Sequence, residues 1–156
     1  LEENHLQGYV SSSYRLGLYF NDELVQLLCF GKNRFKKNEV ELLRFCTKLN
    51  YQVIGGFSKL LKHQSFNNFV SYVDLSKFDA NNYLRNGFEI ISQSSPNYKY
   101  IKDDKVISRQ KAQKHKLSKL LGDKFDNSKT ETQNMLGAGW YKVYDCGNLK
   151  LLYSRS

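Results

Sequence analysis

The sequence predicts an α/β (α+β) fold in which strands and helices alternate and a basic helical extension and a closing hairpin follow. Three observations carry that expectation. Two strand-like apolar runs, YRLGLYF (14–20) and LVQLLCF (24–30), are joined by turn residues. Strand-like and helix-like runs then alternate up to about residue 102. Positive charge is concentrated after that point rather than spread through the chain.

The elements follow in order. Asn21-Asp22-Glu23 between the first two runs is hairpin turn chemistry, so they read as an antiparallel pair. GKNRFKKN (31–38) is a polar, basic connection, and EVELLRFCTKL (39–49) holds the third strand. The acidic start of that strand and Arg44 give it one solvated or ligand-facing side. Asn50 to Gly56 reads as a loop, and FSKLLKH (57–63) as a helix burying Leu60 and Leu61. FVSYVD (69–74) is a β-branched and aromatic fourth strand. FDANNYLRNG (78–87) is a short helix closed by Gly87. FEIISQS (88–94) is a fifth strand ended by Pro96, and NYKYIK (97–102) a sixth. Residues 109–121 read as a helix with Ala112, Leu117, Leu120 and Leu121 inward. Ser128 with Glu131 is a capping-box signature for a further short helix. Residues 140–154 look like a hairpin turned at Cys146-Gly147-Asn148. These elements suggest a core over 1–104 and a basic helix with C-terminal hairpin over 105–156 packed on it, one domain overall.

Composition narrows the function classes. With 156 residues, 40% of them hydrophobic, the chain is long enough for a core without covalent staples. No apolar run approaches the roughly 18 residues that a membrane span needs, so no membrane partner is expected. The absence of an initiator Met reads as an excerpt of a longer polypeptide. Cys29, Cys46 and Cys146 are odd in number, lack CxxC spacing and lie in or beside apolar segments, which fits free thiols in a reducing cytoplasm. The three histidines are scattered, and nothing resembles a zinc site, so no metal is expected. Of the net +9, residues 99–119 alone carry seven Lys and Arg109 against Asp103 and Asp104, a net of +6. Such a block is either a solvated face or an electrostatic footprint for a polyanion, DNA first among them. Lys32, Arg34, Arg109, Lys111, Lys114 and Lys116 are the candidate phosphate contacts, and Tyr98 and Tyr100 candidate stacking partners for exposed bases.

Gly55-Gly56, between a strand and a helix, has two readings. One is a plain turn. The other is a loop whose backbone approaches an anion closely, because first-turn amides are unpaired and the helix dipole favours negative charge there. Ser58 and Lys59 add a hydroxyl and a cation. The spacing matches neither GxxxxGK[ST] nor GxGxxG.

The order of elements, with Gln52-Val53-Ile54-Gly55-Gly56 and Tyr83-Leu84-Arg85-Asn86-Gly87-Phe88, resembles the GNAT acetyltransferases. That resemblance implies a mixed, mostly antiparallel central sheet flanked by helices, with acetyl-CoA or another acyl-CoA as cofactor. In that family the loop after the third long strand follows Arg or Gln, two residues, Gly, any residue, Gly or Ala, and cradles the cofactor pyrophosphate. Gln52, Gly55, Gly56, Ser58 and Lys59 would hold it here, although Phe57 stands where Gly or Ala is expected. Tyr83 would protonate the leaving thiolate, and Asp74 would orient or deprotonate the attacking amine. Glu41, Leu42, Arg44, Ser71, Tyr72 and Asp74 further resemble the Mom-type phage DNA modification proteins. FGKNRF (30–35), SRQKAQKHKL (108–117) and KVYDCGN (142–148) resemble a domain of phage-encoded homing-type endonucleases. That resemblance implies the cytoplasm of a phage-infected bacterial host and an upstream nuclease module in the same polypeptide.

Asp103-Asp104-Lys105 is better read as a surface turn than as a nuclease D/E-x-K element, and no GIY-YIG, LAGLIDADG or HNH signature is present. Three readings therefore stand. The first is a DNA-binding GNAT-like domain of a phage-type (homing) endonuclease that recognises or positions DNA rather than cutting it. The second is an acyl-CoA-dependent N-acyltransferase related to Mom-type base modification, whose target base would be flipped or single-stranded. The third is a non-catalytic basic interaction module.

Overall fold

A computed structural model describes residues 1–33 and 35–155. They form two compact units: residues 1–74, 78–93 and 149–156, and residues 75–77 with 94–148. The architecture is α+β, with mostly antiparallel strands flanked by helices. No helix among the described residues is long and apolar enough to cross a membrane.

The first unit is built on a six-stranded sheet. It opens with β1 (Tyr14–Phe20) and β2 (Glu23–Lys32), an antiparallel pair. Asn21 and Asp22 at their turn both take positive φ, 49° and 62°. That is the twist-matched turn that Asn and Asp tolerate. β3 (Val40–Thr47) pairs antiparallel with β2, crosses over through α1 (Gly56–His63), and the chain returns as β4 (Asn68–Asp74), parallel to β3. After α2 (Asn81–Arg85), Gly87 takes φ 84° and leads into β5 (Phe88–Gln93). β9 (Asn148–Ser154) inserts between β4 and β5, so the order is β1-β2-β3-β4-β9-β5. Aromatic rings fill one side of this sheet: Phe30 meets Phe69 edge to face at 5.1 Å, Phe69 stacks on Tyr153 at 4.8 Å, and Tyr153 lies tilted 5.1 Å from Phe88. Edge-to-face aromatic packing adds to plain area burial.

The second unit is inserted between β5 and β9. At its neck the Ser94 amide donates to the Asn148 carbonyl at 2.9 Å, and the Asn148 amide to Ser94 Oγ at 2.9 Å. Its three-stranded sheet, β6 (Tyr98–Lys102), β7 (Lys105–Ser108) and β8 (Tyr141–Tyr144), runs β7-β6-β8 and packs on α3 (Lys114–Leu121) and α4 (Glu131–Gly137). Tyr100, Ala112, Leu117 and Met135 make its core. Asp103-Asp104 is the β6–β7 turn, with Asp103 at φ 50°.

Three local expectations change. Residues 141–144 and 148–154 lie in different sheets and do not form a closing hairpin. Residues 108–113 turn before α3 begins at Lys114, because Gln113, at φ −58° and ψ 138°, is extended and interrupts any helix from 109. The capping box is made by Thr130 and Gln133, two residues beyond Ser128 and Glu131.

Tyr100 is fully buried, and its hydroxyl donates to Glu131 Oε1 at 3.0 Å. Burial above all, with the Glu131 carboxylate adding, pushes its phenol up to about 12. The neutral phenol is thus favoured more in the native state than in the unfolded chain. Stability falls as pH rises from about 10 toward 12, and the loss is smaller in Tyr100→Phe. Urea midpoints measured across pH 8–12 check this.

Candidate active site

A backbone irregularity generates the site. Cys29 pairs with Arg44 and Phe30 with Leu42, which leaves Leu43 as an extra residue in β3. A bulge of this kind bends a strand and increases its twist. Parallel pairing of β3 with β4 is confined, among the described residues, to Glu41↔Val70 and Leu42↔Ser71, although both strands continue past these pairs. Beyond the bulge the strands part, and a gap opens between their C-terminal ends.

On the α1 side of the sheet a cleft of about 430 Å³ is lined by Gln26, Phe45, Thr47, Gln52, Gly55, Phe57, Ser58 and Asn86, among others. α1 forms because Phe57, Leu60 and Leu61 share its buried face, and Lys62 and His63 in its last turn suit the negative end of the dipole. Its N-terminus has no side-chain cap. Gly55 takes φ 71°, and a Cβ there meets nothing within 4 Å, so the space above it is open. Gly56 is closed in: a Cβ would lie 1.8 Å from Gln26 Oε1 and 2.8 Å from Val53 Cγ1. Gln26 Nε2 donates to Thr47 Oγ1 at 2.9 Å, while the buried Gln26 Oε1 has no protein partner. Ser58 Oγ donates back to the Gly55 carbonyl at 2.9 Å, and Lys59 is exposed. Phe57 turns into the core rather than over the loop, 4.5 Å from Phe45 and 5.5 Å from Tyr83 by ring centroids. It leaves the open surface of Gly55 unobstructed.

Tyr83 stands at the vertex of the gap. Its hydroxyl lies beside Ser71, whose Oγ donates to the Leu42 carbonyl at 3.2 Å. Burial pushes the phenol above the usual tyrosine range, and the Ser71 hydroxyl pulls it partly back. Asp74 is not brought to this point. It lies three residues past Ser71, about 10 Å along the strand, and strand alternation sends its side chain to the opposite face.

That opposite face holds an acid that the sequence put on the solvated or ligand-facing side of its strand. Glu41 is 3% exposed. It lines a second cavity of about 620 Å³ with Gln7, Ser11, Ser12, Lys32, Leu43 and Arg44, among others. Arg44 Nη1 donates to the Leu43 carbonyl at 2.7 Å and its Nε to the Gly8 carbonyl at 3.4 Å, which ties the N-terminal segment over the bulge. The available signal was an acid set among Val40, Leu42 and Leu43, a position where an unused charge is costly.

Among the candidate phosphate contacts, Lys32 ends β2 in the first unit, and Arg34 lies outside the described residues. Arg109, Lys111, Lys114 and Lys116 are exposed in the second unit. Arg109 sits over the Tyr98 ring at 5.2 Å, and Lys116 Nζ donates to the Gln110 carbonyl at 2.7 Å. Tyr100 is core, and its face is not available for stacking on a base. No group of three or more His, Cys, Asp or Glu that could hold a metal occurs among the described residues.

The site is thus a gap in a parallel strand pair, with an uncapped helix N-terminus on one face and a buried carboxylate on the other. Solved structures similar to this chain include a Bacillus subtilis acetyltransferase in complex with CoA, at 15% identity, covering 88% of this chain and 74% of that one, TM-score 0.46. A GNAT family acetyltransferase from Elizabethkingia anophelis with acetyl-CoA bound is 13% identical, covering 90% and 74%, TM-score 0.46. An IAA acetyltransferase from Bacillus cereus is 13% identical, covering 90% and 76%, TM-score 0.46. No family model matches the chain, and no curated protein matches it.

The two glycines separate by substitution. Gly55→Ala meets only the cost of a positive φ and lowers stability by about 1 kcal/mol. Gly56→Ala drives a methyl into Gln26 and costs more, about 2–3 kcal/mol. Urea denaturation of both variants measures the difference.

Proposed function

We propose that the first unit is an acyl-CoA-dependent N-acyltransferase domain. The observation that carries this reading is the α1 cleft, where the end of β3, no longer paired with β4, faces the uncapped N-terminus of α1 and the open Gly55. The residues present fit such a cofactor: the loop is accessible, no acidic side chain lies in the first turn of α1, and a buried carboxamide oxygen at the base of the cleft has no protein partner. Gln52, Gly55, Gly56 and Ser58 would hold the pyrophosphate, with Lys59 adding positive charge nearby. An acyl-CoA supplies an activated thioester. The contribution of this chain is to orient the acyl chain and to deliver a proton. Tyr83, kept protonated by burial and placed beside Ser71, is the acid for the leaving thiolate.

A second reading concerns the second unit. Its twelve Lys and Arg against six Asp and Glu give +6 of the +9 net charge. This favours DNA as its partner, in keeping with the sequence resemblance to phage-encoded homing-type endonucleases, which would place a nuclease module in the same polypeptide. Together the two readings make a base in DNA one acceptor to test.

Acetyl-CoA at ten times its Kd should stabilise the protein by about 1.4 kcal/mol in a thermal-shift titration. No shift refutes the first reading. Tyr83→Phe should lower the rate of CoA release to an amine about 100-fold with an unchanged Kd for acetyl-CoA. For the second reading, reversing Lys111, Lys114 and Lys116 to Glu should abolish a low-salt DNA mobility shift. Unchanged retardation excludes that surface.

A further inference from the structure

We infer that the second unit holds single-stranded DNA, with an unpaired base stacked on Tyr144 and the flanking phosphates taken by Arg109 and Lys142. This rests on the DNA reading of that unit and adds to it the form of the nucleic acid and the residue that receives a base. Three observations carry it. First, register sets a row of side chains across one end of the three-stranded sheet. Tyr144 of β8 pairs with Tyr98 of β6, and Arg109, which follows the last residue of β7, lies over the Tyr98 ring. The Tyr98 and Tyr144 ring centroids are 5.8 Å apart, with the planes at 63°. Tyr144 lies on an edge strand and is 61% exposed. Secondly, Tyr98 is already held. Arg109 lies 5.2 Å and Lys142 Nζ 4.1 Å from its ring centroid, and its hydroxyl donates to Glu131 Oε1 at 2.8 Å. Tyr98 is therefore a fixed wall, and the exposed ring of the row is Tyr144. Thirdly, the acids beside the row are engaged within the unit. Glu131 Oε1 also accepts the Tyr100 hydroxyl at 3.0 Å, and Asp145 Oδ1 accepts the Asn97 and Gly147 amides at 2.7 and 2.9 Å. On the cationic side, Arg109 and Lys111 are exposed, and Lys142 is half-buried with Nζ donating to Thr132 Oγ1 at 2.8 Å. The face of the sheet that bears Tyr98 also carries α3, whose Lys114 and Lys116 are exposed.

The chemistry favours a single strand over a duplex. Paired bases are stacked on one another and offer an exposed ring only sugar and phosphate. An unpaired base has a free face, and its stacking on an aromatic side chain tolerates any sequence. Cations beside the neighbouring ring suit the phosphates that flank such a base. Tyr144 thus takes the part that the sequence offered to Tyr98 and Tyr100.

The test uses the full chain and fluorescence anisotropy with labelled probes: a short oligothymidine, the same backbone with abasic sites, and a duplex of the same length. Oligothymidine should bind about tenfold more tightly than the abasic strand, and Tyr144→Ala should remove that margin while leaving abasic binding unchanged. Tyr144→Phe keeps the ring without the hydroxyl and should bind oligothymidine as the wild type does. Replacing Arg109 and Lys142 together with Gln should lower the slope of log K against log salt by about 1.4 for the single strand. The proposal is overturned if Tyr144→Ala binds oligothymidine as tightly as the wild type, or if the abasic strand or the duplex binds as well as oligothymidine. Duplex binding that persists alongside such a result leaves the DNA reading of the unit standing, whereas no binding to any probe at low salt removes both.

Discussion

The fold of the first unit turns on one extra residue. Leu43 has no partner in β2, and the strand that carries it ceases to pair with β4 immediately before that point. A regular ladder would have continued the hydrogen bonds toward Thr47 and Asp74 and closed the sheet. The bulge instead gives up several backbone hydrogen bonds, each worth about 1 kcal/mol net, and the freed edges become a lined opening. Gly31 fits the same constraint: a Cβ there would lie 2.7 Å from Leu43 Cδ1, so the side chain of the extra residue is accommodated only because its neighbour has none.

The cost is offset by aromatic packing on the α1 side. Phe57, at a position where its resemblance to other proteins called for Gly or Ala, makes a floor with Phe45, Tyr83 and Phe88. That floor anchors α2, a helix of only five residues that would not persist alone, and with it the Tyr83 hydroxyl. The large side chain therefore trades a small residue's closeness of approach for rigidity in the floor beneath it.

What the sequence made legible was local. Asn21-Asp22, Gly55 and Gly87 each announced a backbone conformation that few other residues tolerate, and each takes the positive φ expected of it. The apolar spacing of Phe57, Leu60 and Leu61 gave α1 to within a residue. What stayed hidden was non-local. Tyr141–Tyr144 and Asn148–Ser154 carry the pattern of a hairpin, but which sheet a strand joins is decided by distant partners. The four residues of β7 were masked by the charged turn before them. Tyr98 and Tyr100 looked like stacking groups because aromatic residues in a basic stretch have the same composition whether their rings face solvent or a core. Glu41 read as solvated or ligand-facing, since its burial comes with the distant residues 7–13, which no local propensity places beside it.

The neck between β5 and β9 has one more implication. Gln93 pairs with Leu149, and the next residues on each side, Ser94 and Asn148, are bonded to each other. Topologically, the whole second unit occupies the place of a hairpin tip. Lineages can therefore lengthen, shorten or exchange what hangs from this tip without altering the register of the strands that bear it.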